Sequence, residues 1–400
     1  MSKPIINKKT DTPPFNAPSS LHQSTSQGFW GSLLQTFKDI FTDKGVLLML
    51  LIAPIIYGFF YPWPYSSEVV NHVPVGIVDY DNSDLSRTIV SYATASPQLA
   101  TQRFSSEQAA KEALWRDHIA GYMVIPYGIE QQVLSSKAAS VSVLGNGSYF
   151  LLNKNVQMGF LQAVSTVSAG IKVKKSVAKG AYMPTAAAST QAVPLKIIPL
   201  YNKTEGYGAY VVPAVAMLIL QQTLLMATAM LIGTWYEQRR HMSSIRGWLG
   251  RIAALSSLSF IIGCFYYGWI FELQHYPRGQ NMLGSLLFLL LFCPTVATLG
   301  CVLGLWFRQR ERSLQILIFS SLPIFFVSGY PWPAHQLPEF LQIIRWLIPT
   351  TPAINTSVQL NQMGASVTQV ATGFYALAGL WLFYFILLLF LRRRTAQKAV

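Results

Sequence analysis

Apolar residues along this chain gather in six long runs, at 45–61, 210–236, 252–271, 282–307, 314–330 and 370–391. Each is close to the ~20 residues that an α-helix needs to cross a bilayer core. Ahead of the first run, Trp30, Leu33, Leu34, Phe37, Ile40 and Phe41 recur at helical spacing, with Ser32, Gln35, Lys38 and Asp39 on the opposite face. This pattern predicts an interfacial helix within 28–44 that lies on the membrane, or otherwise a short extension of the next span. Residues 1–27 are rich in Ser, Thr, Pro and Asn and carry no apolar run. They read as a disordered tail rather than a signal peptide.

The first two runs are separated by a polar stretch of domain size, 62–208, in which strand and helix periods alternate. Residues 73–78 and 120–125 predict strands, and 83–94 and 106–117 predict helices. A turn at Asn146-Gly147 leads to a long amphipathic helix over 150–175, with Leu152, Val156, Phe160, Val164, Val167 and Ile171 on one face. The expected fold is an α-helical polytopic membrane protein of six transmembrane helices with an inserted α+β domain. In chain order these are the first span at 45–61, the insert at 62–208, spans two to six within 209–391, and a basic tail at 392–400. An Ala/Ser/Thr-rich linker, 180–191, returns the insert to the membrane.

Composition agrees with lipid as the solvent: 52% of residues are hydrophobic, 12% are charged and the mean hydropathy is +0.35, against about 25% charged in soluble domains. The formal charge of +14 on a soluble domain would point to nucleic acid, but its placement excludes that reading. Arg239, Arg240, Arg246 and Arg251, then Arg308, Arg310 and Arg312, then Arg392, Arg393, Arg394 and Lys398 all sit at the ends of apolar runs, whereas the loops after the third and fifth runs hold only Arg278 and Arg345. By the positive-inside rule both termini are expected in the cytoplasm and the insert outside, in a multi-pass protein of a bacterial inner membrane. The three cysteines, Cys264, Cys293 and Cys301, fall inside apolar runs and indicate no disulfide framework.

Candidate chemistry is sparse. The chain has no GxxxxGK[ST] phosphate loop, no HExxH and no GxSxG elbow, and its six histidines are scattered, so neither a catalytic nor a metal site is expected. The run Asp79-Tyr80-Asp81-Asn82-Ser83-Asp84 lacks the Gly and Glu of a calcium loop and reads as a strand-end turn that caps a helix. Glu237, Glu272 and Glu311 lie at span ends, leaving no carboxylate near a span centre for proton coupling. Gln221 and Gln222 lie inside the second span, either as glue between helices or as lining of a transport path. Between the last two spans, Ser328-Gly329-Tyr330-Pro331-Trp332-Pro333 opens a proline-rich, apolar segment, 329–360, expected as a re-entrant or interfacial hairpin or else an ordinary outer loop.

In order and spacing, several segments resemble the permease subunits of type-2 ABC exporters. These are Phe37-Lys38-Asp39-Ile40 before a span carrying Ala53-Pro54, and Pro74 to Ser83 followed by Leu85-Ser86-Arg87. Leu200-Tyr201-Asn202 then precedes Val211-Val212-Pro213, Leu249-Gly250-Arg251 opens the third span, and the hairpin at Ser328 to Pro333 closes the series. The resemblance implies a permease that pairs with a second permease chain, identical or not. It binds no cofactor, and ATP with its magnesium is held by a separate ATPase subunit. It also implies that the loop from Glu237 to Gly250 docks on that ATPase through Glu237, Arg239, Arg240, His241, Ile245, Arg246 and Trp248, with His241-Met242 standing where the family commonly has Gly-Thr. An amphiphilic or drug-like substrate, a periplasmic adaptor and an outer-membrane channel are further implications. From the residues alone, a membrane receptor or scaffold whose insert binds a ligand or partner without transport is the alternative.

Overall fold

The computed structural model describes residues 28–185, 198–203 and 205–397. The expected tail at 1–27, residues 186–191 of the linker at 180–191 and the last three residues of the basic tail lie outside them. The chain forms two compact units, one of residues 67–204 and one of the segments on either side of it.

The flanking segments build a helical unit. Its first helix, α1 (Phe29–Thr42), is the interfacial element, and its amphipathicity is used in an unexpected sense. Ser32, Thr36 and Ile40 are buried, while Trp30, Leu34 and Phe41 are exposed. The small face of α1 packs on protein and its apolar face is left for lipid, as suits a helix lying in the interface. The Asp43 carboxylate accepts from the N–H groups of Gly45 and Val46 at 3.0 and 3.1 Å and starts α2 (Lys44–Tyr65). Within α2, residues Leu48–Ile52 take a π-helical turn just before Pro54. Pro54 has no N–H to give, and a widened turn accommodates the carbonyl it leaves unpaired.

Four more helices are long and apolar enough to cross a membrane: α7 (Tyr207–Glu237), α8 (Ile245–Leu273), α9 (Met282–Phe307) and the last helix, α13, whose crossing part is Ala371–Arg394. With α2 they make five among the described residues. The expected fifth span, 314–330, is found as α10 (Arg310–Val327), whose first turn holds Arg310, Glu311 and Arg312. Its uncharged part is about 21 Å long at 1.5 Å per residue, less than the ~30 Å of a bilayer core. The chain then passes through the short helix α11 (Glu339–Ile344) into α12 (Thr350–Asn361), which is largely buried.

Helix α7 is the axis of the unit and packs against α8, α9, α10 and α12. Its contact with α9 is close because Gly300 and Gly304, a GxxxG pair, face it. A Cβ at these positions would lie 2.7 Å from the Thr228 Cβ and 2.6 Å from the Ile232 Cβ. Small residues at this spacing let membrane helices approach backbone to backbone.

The unit of residues 67–204 is built on a four-stranded sheet of order β2-β1-β3-β4, from β1 (Val73–Asp79), β2 (Leu99–Phe104), β3 (Gly121–Ile125) and β4 (Ser142–Gly145). The first three strands are parallel and β4 runs antiparallel to β3. Helices α3 (Asp84–Thr94) and α4 (Glu107–Trp115) make the crossovers, and α5 (Ile129–Leu134) follows β3. Helices therefore alternate with parallel strands, where an α+β arrangement was expected. Period-two alternation divides the core. Val73, Val75 and Ile77 face Val156, Phe160 and Ala163 of the long helix α6 (Phe150–Ala178), whereas Val78 and Tyr122 face Ala110 and Ala113 of α4. The Asp79–Asp84 turn is made of caps: the Asp79 carboxylate accepts from the N–H groups of Asp81 and Asn82, Asp81 accepts from the N–H of Gly128, and the Ser83 hydroxyl accepts from the N–H of Ser86.

Candidate functional site

At the arginine-rich end of the helical unit, three elements of distant sequence converge: α1, the 238–244 loop between α7 and α8, and the turn at 308–310 between α9 and α10. Arg251 organises the loop. Only 8% exposed, it lies 4.3 Å over the ring of Trp235 and 4.8 Å over that of Trp248, and its guanidinium donates to the carbonyls of His241 at 2.9 Å and Arg240 at 3.1 Å. A planar cation with several donors is the side chain that can both stack on two indoles and bond two carbonyls. The loop begins where Arg239 turns left-handed, with φ 57°, and it ends where the Ser244 hydroxyl accepts from the N–H of Gly247 to start α8.

Two carboxylates of the α1 end tie this loop and the 308–310 turn together. Asp39 accepts from the indole N–H of Trp235 at 2.8 Å and from Arg240 at 3.0 Å. Asp43 pairs with the Arg310 guanidinium, one nitrogen at 2.7 Å, and Arg310 also donates to the Thr234 hydroxyl and, from its backbone N–H, to the Glu237 carboxylate at 3.0 Å. The Arg310 hydrogen bonds hold the Asp43 carboxyl below the usual carboxylate range against the opposing effect of burial. An open groove of about 260 Å³, lined by Asp39, Thr42, Asp43, Thr234, Gln238 and Arg240, lies beside the pair.

The residues expected to dock divide into two sets. Glu237, Arg239, Arg246 and Ile245 are exposed, Ile245 to 47%. Trp248 is not: at 1% exposure it is a core residue against Arg251, and its expected role as an apolar anchor for a partner gives way to a role inside the fold. His241 is buried too, its ring 4.4 Å from that of Tyr236. Burial, then the charges of Arg251 and Arg308, push the His241 pKa down and favour the neutral ring.

The family profile described as ABC-2 family transporter protein matches residues 44–390. The chain belongs to this family. None of the curated proteins compared with it matches. Membership assigns this ABC-2 protein to membrane transport.

Elsewhere in the ABC-2 protein, Gln221 and Gln222 are both buried in α7. Gln222 reaches the Ser320 hydroxyl of α10 at 3.5 Å, and neither amide atom of Gln221 has a partner among the described residues. Gln222 thereby joins α7 to α10. The hairpin opening is anchored to α7 by a reciprocal pair: the Tyr210 hydroxyl donates to the Tyr330 carbonyl at 2.9 Å, the Tyr330 hydroxyl to the Tyr210 carbonyl at 2.7 Å, and the rings stack 4.9 Å apart. Gly329 is left-handed, with φ 85°, and Arg345 closes over it by donating to the Ser328 carbonyl. Of the remaining hairpin residues, Trp332 is exposed and Pro331 and Pro333 bracket it. From Tyr210 a row of tilted tyrosine rings continues through Tyr207 and Tyr65 to Tyr61. Sequence reading missed it, although the spacings 61/65 and 207/210 put each pair on one helix face.

Proposed function

We propose that this ABC-2 protein is the permease subunit of an ATP-driven exporter that moves an amphiphilic or drug-like substrate out of the cytoplasm or the inner membrane, energised by a separate ATPase chain. Both termini face the cytoplasm, the 67–204 unit faces outward, and α10 with the 329–360 hairpin completes a sixth crossing. The reading is carried by one observation: Arg239 in the 238–244 loop and Ile245 and Arg246 in the first turn of α8 are exposed, while Arg251 of α8 holds the His241 and Arg240 carbonyls of that loop, Asp39 of α1 holds the Arg240 side chain, and Arg310 of α10 bonds Glu237 at the end of α7. A load applied to the exposed residues reaches three helices without passing through a flexible segment. Two such chains, identical or not, pair around the substrate, and an adaptor with an outer-membrane channel extends the route where the 67–204 unit engages them.

A variant carrying Arg239→Glu, Ile245→Asp and Arg246→Glu tests the docking role. None of the three is buried, so the variant is expected to insert and to unfold at the wild-type temperature. It should retain at most about a tenth of the ATPase that co-purifies with the wild-type chain, a loss of ~1.4 kcal/mol or more. Co-purification at the wild-type level would assign these arginines to topology alone.

A further inference from the structure

We propose that His241 makes the 238–244 loop an acid-sensitive latch, closed while the imidazole is neutral and opened when a proton makes it a third cation beside Arg251 and Arg308. The ring is only 9% exposed and lies nearly flat on Tyr236, with ring centres 4.4 Å and planes 27° apart. Neither ring nitrogen makes a hydrogen bond among the described residues. A neutral imidazole tolerates such burial far better than an imidazolium, whose two donors both require acceptors and whose charge requires a counter-ion.

Among the described residues, none of the elements around the ring supplies that counter-ion. From α8, the Arg251 guanidinium donates to the carbonyl of His241 itself at 2.9 Å. From the α9–α10 turn, the Arg308 guanidinium stands 5.6 Å from the centre of the Tyr236 ring, so the π-face that could favour an imidazolium already has a cation beside it. These are the two charges that act on the imidazole, and both are positive. The carboxylates nearby are occupied: Asp39 of α1 by the Trp235 indole and Arg240, Asp43 by the Arg310 side chain, and Glu237 of α7 by the backbone N–H of Arg310. Arg239 in the loop and Arg246 in α8, both exposed, add further positive charge. One group favours the charged ring, the Trp235 carbonyl, and it already accepts from the N–H of Arg240 at 2.7 Å. Burial and the two guanidinium groups thus hold the His241 pKa below its ordinary 6.5. A pKa lower in the closed loop than in the open one favours closure in full above about pH 6.5, and that preference is lost as pH falls toward the depressed value. Opening frees the His241 and Arg240 carbonyls from Arg251 and carries Arg239 with the loop. The latch belongs to this chain alone and does not depend on the docking reading.

The test is backbone hydrogen exchange of the purified full chain in detergent micelles, read by mass spectrometry on peptides spanning 238–248, with the intrinsic pH dependence of exchange divided out. Between about pH 7.5 and about pH 5.5 the protection of this segment should fall about tenfold, the linkage of one proton to a group whose open-state pKa is about 6.5. Peptides of α9 spanning 290–304 should keep theirs. His241→Phe keeps a ring on Tyr236 but takes no proton, and should make the protection independent of pH. Arg308→Asn removes one of the two cations at an exposed, left-handed position that Asn tolerates, and should shrink the fall to about threefold or less. Wild-type protection that does not change with pH overturns the proposal. So does a tenfold fall that persists in His241→Phe, which would assign the opening to the Asp39–Arg240 pair, or one that persists undiminished in Arg308→Asn.

Discussion

Arg251→Ala is expected to destabilise the helical unit by about 3 kcal/mol, because it removes a buried cation that satisfies two carbonyls and fills the space between two indoles. The His241 and Arg240 carbonyls lose their donor, and Trp235 and Trp248 lose the group packed between them. Arg251→Lys retains charge but cannot stack as a plane or bond both carbonyls in one geometry, and should fall between the two. Arg246→Ala, at an exposed position, should stay within ~0.5 kcal/mol of wild type. Thermal unfolding in detergent, followed by tryptophan fluorescence, separates the three. Equal unfolding temperatures for the Arg251 and Arg246 variants would remove Arg251 from its organising role.

Arg310→Met should uncouple the site rather than unfold it. The Asp43–Arg310 pair is partly open to solvent, and such pairs contribute only ~1 kcal/mol to stability. Its mechanical role is larger, since it is the bond by which the start of α2 follows the start of α10. The variant is expected to hydrolyse ATP with its partner at the wild-type rate yet transport about tenfold less per ATP. The charge-retaining Arg310→Lys should recover part of the loss. A folded-state pKa of Asp43 below its unfolded value means that the pair's contribution is present above the ordinary carboxylate pKa of ~4 and is lost as pH falls through the depressed value. Coupling should therefore be insensitive to this carboxylate between pH 5 and pH 8 on the ordinary scale of about one titration unit around the pKa. Equal transport per ATP in Arg310→Met and wild type would show that the pair only decorates the surface.

Much of this architecture was legible because its signals are local. Runs of ~20 apolar residues specify membrane helices wherever they occur, and the cap at Ser83, in the turn read as starting a helix, sits one residue before the helix that it starts. Strands β2 and β4 were missed because both lie at sheet edges, where exposed polar residues such as Gln102, Arg103 and Ser142 blur the alternation. Span five was placed three to four residues too far along the chain, at 314–330 against the Arg310–Val327 of α10, because the charged residues Arg310, Glu311 and Arg312 of its first turn hide the start of the helix from hydropathy. The arginine cluster was found, but its internal division was not. Arg239, Arg246 and Arg251 look alike in sequence as basic residues near a span end, and only the two indoles folded over Arg251 separate it from its exposed neighbours. Trp248 was misread for the same reason, since burial of a tryptophan depends on Trp235, thirteen positions earlier on another helix.

Reconstitution tests the central claim most directly. Proteoliposomes are prepared with the chain and its co-purifying ATPase, or with the chain alone, and export of a self-quenching fluorescent amphiphile is followed. Transport is predicted to require both proteins and hydrolysable ATP, and to continue after the proton gradient is collapsed, because no carboxylate lies near the centre of a span. Transport by the chain alone, driven by a pH gradient without ATP, would contradict the account.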